Sequence, residues 1–208
     1  EFEYGRNCKR NFIVKLFVKA LECFLCKRTV LNIVVNDSIA DAIQNLHRLK
    51  NRPLVVRNVP SYWNIDVNRC ILERRKICEE YNIPIERFIL MYHGAITDGR
   101  GIENAIYAVA NVQNACLLIL GNGEKKYVSR LEAMISSLQL KEKVFFHPAV
   151  EHSMLWEYIG SVDVGLSVLL NTCVNHYYAL PNKLFESIQA MIPLIVSDFP
   201  EMERIVKM

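Results

Sequence analysis

From Arg87 to the end of the chain, short apolar segments alternate with segments of helical periodicity. The expected strands are residues 88–92, 115–119, 144–146, 164–167 and 194–196, and the expected helices are residues 102–109, 127–138, 154–159 and 183–191. Apolar strands separated by helices are typical of a parallel sheet with helices on both faces. Such sheets bind ligands beyond the carboxyl ends of their strands. The alternation therefore predicts an α/β fold and directs attention to the loops that follow the strands.

The first part of the chain has a different organisation. Residues 7–28 have the three-and-four spacing of a basic amphipathic helix, which either packs on a sheet or contacts an anionic membrane. A strand-helix-strand unit is expected over residues 30–56, and the Pro-containing residues 58–63 mark a candidate interdomain linker. We therefore predict two domains, residues 1–60 and residues 61–208.

Charge and cysteine content limit the functional classes. A formal net charge of +3 is too small to indicate a nucleic-acid platform, so no nucleic-acid partner is predicted. Seven cysteines, an odd number scattered along the chain, favour a reducing cytoplasm over a disulfide-stabilised fold. No apolar run reaches the ~18 residues that a membrane span requires.

The first motif that could carry chemistry is a glycine-rich loop after the first strand of the alternating region. It contains Gly94, Ala95, Arg100 and Gly101 and leads into a helix. Glycine allows a ligand to approach the backbone closely, the amino end of the helix offers free N–H groups, and arginine supplies a charged donor. The loop suits an anion, although glycine-rich turns after strands also occur without any ligand.

A second turn, Gly121-Asn122-Gly123, follows the next strand. It begins like the dinucleotide fingerprint G-x-G-x-x-G, but Lys126 stands at the third glycine position, where the helix would have to approach the strand. An NAD-dependent oxidoreductase is therefore disfavoured.

The third motif begins the last predicted helix. Pro181 and Asn182 stand at its expected start, Lys183 in its first turn is placed for a phosphate, and Glu186 lies on the same side of that turn. A carboxylate beside a cation and free amides can hold both the hydroxyls and the phosphates of a nucleotide. The alternative is a capped helix with Lys183 and Glu186 merely solvated.

Together the three motifs resemble the carboxyl-terminal domain of the large retaining glycosyltransferase family four. That family has the GT-B fold, in which two Rossmann-like domains face each other across a cleft. The resemblance covers roughly residue 88 to the end, and residues 30–60 resemble the last strand-helix-strand of the preceding acceptor domain. It implies a Rossmann-like nucleotide-sugar-binding domain over residues 61–208, without its final elements, and a remnant of the acceptor domain before it.

The resemblance also implies roles for individual residues. Arg100 and Lys183 would act on the donor diphosphate as the catalytic cations, and Glu186 would hold the nucleotide ribose. Residues 146–149, with His147, would form the wall against which the base rests. The donor-binding set implied in this way is Gly94, Ala95, Gly101, His147, Pro181, Asn182 and Glu186.

The implied activity is transfer of a sugar from a UDP- or GDP-sugar to a glycan or lipid-linked acceptor in surface polysaccharide synthesis, with no cofactor and no metal. The expected location is the cytoplasm or the inner face of the membrane, and activity from this piece alone is not expected. Two positions depart from the family: Ala95 replaces a common basic residue, and Tyr178 replaces the first acidic residue. A non-catalytic donor-binding module and a GT-B-type sugar-nucleotide epimerase therefore remain as alternatives.

Overall fold

The computed structural model describes residues 12–208, and a five-stranded parallel sheet organises most of them. Its strands are β3 (Phe88–His93), β4 (Ala115–Leu120), β5 (Val144–His147), β6 (Val164–Ser167) and β7 (Leu194–Val196). Their order in the sheet is β5-β4-β3-β6-β7, and every neighbouring pair is parallel. The strand-helix alternation predicted from residue 87 onward is thus confirmed.

The residues of β4 show why this sheet is buried on both faces. Leu117 and Ile119 join a core with helices α4 (Ile102–Ala110) and α5 (Lys125–Ser137). Leu118, on the alternate side, joins a second core with residues of helices α3 (Val67–Glu80) and α6 (Leu155–Gly160). Because successive side chains of a strand point to opposite faces, an uninterrupted apolar strand requires helices on both sides.

The polar helix α3 was not predicted from the sequence, because most of its surface is charged and its buried side is narrow. Arg74 anchors it: Nη1 donates to Asp163 Oδ2 at 3.1 Å and to the Ser161 carbonyl at 3.0 Å. Asp163 Oδ2 also accepts from the backbone N–H of Ile89 at 2.7 Å. These polar contacts between distant segments have no periodic signature in the sequence.

The remaining elements are α1 (Phe12–Arg28), β1 (Ile33–Val34), α2 (Asp37–His47), β2 (Leu54–Val55), α7 (Val174–Tyr177), α8 (Asn182–Gln189) and α9 (Pro200–Val206). Strands β1 and β2 pair in parallel, in agreement with the expected strand-helix-strand unit. The part of the first predicted helix before residue 12 lies outside the described residues. Within residues 12–208, no helix is both long enough and apolar enough to cross a bilayer.

Two compact units are present, and neither is continuous in sequence. One contains residues 12–59 together with residues 171–180 and 198–208, and the other contains residues 60–170 and 181–197. In the first unit the buried Glu201 Oε1 accepts from Ser38 Oγ at 2.6 Å and from Ser38 N at 2.9 Å. The two-domain division at residue 60 stays a prediction about the protein's domains, since the first unit also contains two segments from late in the chain.

Candidate functional site

The candidate site lies in the second unit, at the carboxyl edge of the sheet. Strands β4 and β6 flank β3, so the chain leaves β3 toward one side and later returns on the other. Open parallel sheets bind ligands at such a point of reversal. The glycine-rich loop follows β3 at this point, and all the predicted site residues belong to this unit.

Two glycine turns pack backbone against backbone here. Gly94 N donates to the Leu120 carbonyl at 2.8 Å, and Ile96 N donates to the Asn122 carbonyl at 2.9 Å. A Cβ on Gly121 would lie 1.9 Å from Gly94 O, and one on Gly123 would lie 2.3 Å from Ile96 O. The second turn therefore has a structural reason for its glycines, which is to support the loop after β3.

Gly101 fixes the far end of the loop and the start of α4. It has φ +73°, and a Cβ there would lie 1.9 Å from the carbonyl oxygen of Val168. Leu170 N also donates to the Gly99 carbonyl at 2.9 Å. The loop is thus held to the segment that follows β6, with the free amides at the amino end of α4 directly after it.

Lys183, in the first turn of α8, reaches over this loop. Its Nζ lies 4.7 Å from the centroid of the Tyr92 ring, and a Cβ on Gly94 would lie only 3.0 Å from Nζ. The pKa of Lys183 is lowered to about 8, mainly by burial and in part by the nearby Arg100 guanidinium, while Glu186 opposes both effects. In the part of the chain that the structure describes, neither Lys183 nor Arg100 forms an ion pair with a carboxylate within 4.0 Å.

Tyr92 supports both the lysine and the loop. Its ring lies beneath Lys183, and its hydroxyl donates to the Ala95 carbonyl at 2.6 Å. Burial raises the pKa of Tyr92 to about 12, so the phenol keeps its proton at neutral pH. Lys183 above the Tyr92 ring, with the Arg100 guanidinium nearby and no carboxylate paired to either cation among the described residues, forms a site that an anion can fill.

Glu186 is buried near Lys183 and contacts His93, a residue that the sequence analysis did not single out. His93 Nε2 lies 2.8 Å from Glu186 Oε2. Burial lowers the pKa of His93, Lys183 lowers it slightly, and Glu186 opposes both. A histidine directly before the first loop glycine, at the end of an apolar strand, was the available signal.

His147 ends β5, away from the two cations along the sheet edge. Its Nδ1 donates to the Pro148 carbonyl at 2.7 Å, and its ring packs edge-on against Tyr158 at a centroid distance of 4.9 Å. His147 lines a cavity of about 450 Å³ together with the Gly121–Gly123 turn and the first turns of α5. The cavity is adjacent to the glycine-rich loop, because Ile96 also lines it.

The structure thus brings together Gly94, Arg100, Gly101, Lys183 and Glu186. Ala95 is exposed on the loop, Pro181 is the N-cap of α8, and Asn182 is exposed in its first turn. Among residues 12–208, no three His, Cys, Asp or Glu side chains cluster as metal ligands do.

A parallel sheet with cations and amides at its point of reversal is typical of α/β proteins that bind phosphorylated ligands. Residues 73–208 match the family model described as glycosyl transferases group 1. Because this region is more than half of the chain, the protein belongs to that family. No curated protein sequence shows a significant match.

Solved structures show the same fold at low identity. A UDP complex of HepE from Anabaena has a TM-score of 0.71 and 13% identity, covering 92% of this chain and 52% of that one. Sucrose-phosphate synthase from Thermosynechococcus elongatus has a TM-score of 0.70 and 16% identity, covering 91% and 46%. The pneumococcal O-GlcNAc transferase GtfA, in complex with UDP and GlcNAc, has a TM-score of 0.61 and 17% identity, covering 86% and 32%.

These neighbours are GT-B glycosyltransferases, so the predicted GT-B-type fold is confirmed. The chain spans about half the length of the first two structures and about a third of the last.

Proposed function

We propose that the chain provides the donor-binding part of a retaining glycosyltransferase that uses a UDP-hexose. The observation that carries this proposal is the pair of cations Arg100 and Lys183, which have no carboxylate partner within 4.0 Å among the described residues. They lie at the sheet edge beside the amino ends of α4 and α8. A nucleotide diphosphate supplies the negative charge that this arrangement lacks.

In the proposed complex, the diphosphate lies between the glycine-rich loop and the amino end of α8. Arg100, Lys183 and backbone amides stabilise the charge that develops on the leaving phosphate, each well-placed donor lowering the barrier by about 3 kcal/mol. Glu186 accepts hydrogen bonds from the ribose, and the base rests near His147 in the adjacent cavity. We propose that these protein groups act without a metal ion or cofactor.

UDP is proposed over GDP because UDP is the nucleotide in the complexes of the Anabaena and pneumococcal proteins. The proposed acceptor is a glycan or a lipid-linked glycan in surface polysaccharide synthesis. A GT-B-type epimerase would require an additional acid and base at the same site.

We also propose a cytoplasmic location with peripheral membrane contact through α1. This helix exposes the large apolar residues Phe17 and Phe24 beside exposed Lys19, Lys27 and Arg28. Such a surface suits an anionic bilayer. Co-sedimentation with vesicles that contain anionic lipid tests it: Lys19→Glu should reduce binding, and equal binding of both proteins would contradict it.

A non-catalytic donor-binding module is the second candidate, because Ala95 and Tyr178 replace residues that the family commonly uses. Release of UDP from a UDP-hexose in the presence of acceptor glycans, measured with this chain joined to an acceptor-binding half of a GT-B enzyme, separates the two functions. Turnover supports the transferase, whereas tight binding without any release of UDP supports the module.

Calorimetric titration with UDP, GDP and their hexose conjugates tests the donor site itself. We expect UDP to bind and Glu186→Ala to weaken binding about tenfold or more, the loss that ~1.4 kcal/mol produces. Glu203→Ala, which removes a partly exposed acid from α9, is the matched control and should bind UDP normally. A folded wild-type chain that binds none of these nucleotides would refute the proposal.

A further inference from the structure

His93 and Glu186 form a buried pair that links the end of β3 to α8. The two side chains are 3% and 8% exposed, and the distance from Nε2 to Oε2 is 2.8 Å. We propose that His93 is a positioning residue, which holds the Glu186 carboxylate so that its other oxygen accepts hydrogen bonds from the ribose hydroxyls of the donor. This inference rests on the function proposed above and deepens it.

Glu186 needs such a partner because a glutamate side chain has three rotatable bonds, and burial alone does not select one orientation. His93 is well suited to select it, since it belongs to the central strand of the sheet and pairs in register with Leu120. Within the described chain, Glu186 Oε1 has no hydrogen-bond partner. One oxygen is therefore held by the protein, and the other remains available to a ligand.

The charge state of the pair also favours ligand binding. Burial lowers the pKa of His93, so the imidazole is neutral at pH 7 and donates through its Nε2–H. A neutral donor orients the carboxylate without cancelling its charge, which an arginine or lysine in the same place would do. Glu186 stays a strong acceptor, and Lys183 stays free for the phosphates.

Stability alone does not explain the pair. His93 Nδ1 is buried and has no hydrogen-bond partner among residues 12–208. An unpaired buried polar atom makes folding less favourable, and an apolar residue here would continue the core pattern of β3 without that penalty. A local exception of this kind, next to a candidate ligand site, is typical of a functional constraint.

Two variants of His93 separate positioning from packing. Glutamine places its amide nitrogen about where Nε2 lies and can still donate to Glu186, whereas asparagine places its nitrogen near the Nδ1 position and falls short. The 208-residue chain and both variants are titrated with UDP and with 2′,3′-dideoxy-UDP, which lacks the ribose hydroxyls. Circular dichroism and thermal unfolding verify that each variant is folded.

We expect His93→Asn to weaken UDP binding about tenfold, as a loss of ~1.4 kcal/mol would do. His93→Gln should restore binding to near the wild-type level. For dideoxy-UDP, the wild type and both variants should bind alike, because the hydroxyls that Glu186 would accept from are absent.

Three outcomes would overturn the inference, and they differ in what they imply for the proposed function. Equal UDP binding by His93→Asn and the wild type, with Glu186→Ala still weakened, refutes the role of His93 alone. An equal loss of UDP and dideoxy-UDP binding in His93→Asn shows a structural role. Absence of UDP and GDP binding by the folded wild type refutes the proposed function and the inference together.

Discussion

At the scale of single residues, Lys183 connects the protonation state of the site to anion binding. Its pKa is lowered to about 8 in the fold, from an ordinary value of 10.5. The charged form is therefore disfavoured by folding at pH below 8, and this effect disappears as the pH rises toward 10.5. A bound diphosphate favours the charged form, so UDP binding should take up a proton near pH 8.

We accordingly expect UDP affinity to fall between pH 7 and pH 9 in the wild type. Lys183→Arg should bind UDP with little pH dependence over this range, because arginine keeps its proton. Calorimetry in two buffers of different ionisation enthalpy measures the proton uptake. A wild-type affinity that is constant from pH 7 to pH 9 would contradict the assignment of Lys183 to the phosphates.

Gly101 gives a second prediction at this scale. Gly101→Ala combines a left-handed backbone, φ +73°, with a Cβ that would collide with the Val168 carbonyl. We expect it to lower the free energy of unfolding by about 2 kcal/mol or more and to weaken UDP binding. Gly99→Ala has nearly the same φ, 78°, so the difference between the two variants measures the collision. Equal denaturation midpoints would show that the loop relaxes freely.

At the scale of secondary-structure elements, Asp163 joins α3 to the sheet. Asp163→Ala removes the acceptor of the Ile89 N–H and of the Arg74 guanidinium, and it should lower the free energy of unfolding by about 1–3 kcal/mol. Asp163→Asn keeps an oxygen acceptor and should lower the free energy of unfolding by less than Asp163→Ala does. Urea denaturation measures both effects. UDP affinity should be unchanged, and a loss of UDP binding without a loss of stability would mean that Asp163 belongs to the site.

At the scale of the whole molecule, the unit formed by distant segments depends on Glu201. Glu201→Ala should leave the Ser38 N–H without its partner. We expect the free energy of unfolding of that unit alone to fall by about 2 kcal/mol. Hydrogen exchange should then become faster in α2 and stay unchanged in β4. Glu203→Ala, which alters a partly exposed neighbour on the same helix, should change hydrogen exchange in neither element. Faster hydrogen exchange in β4 would contradict the expectation that the effect is confined to that unit.

The sequence by itself determined the strand-helix alternation, the glycine-rich loop with Gly94 and Arg100, and the helix start that carries Lys183 and Glu186. It could do so because apolar periodicity and turn chemistry depend on neighbouring residues. Only the tertiary structure decided the strand order, the polar anchoring of α3, the backbone contact between the glycine turns and the pairing of His93 with Glu186, 93 positions away. Those features arise from burial and hydrogen bonds between distant segments, which local sequence patterns do not encode.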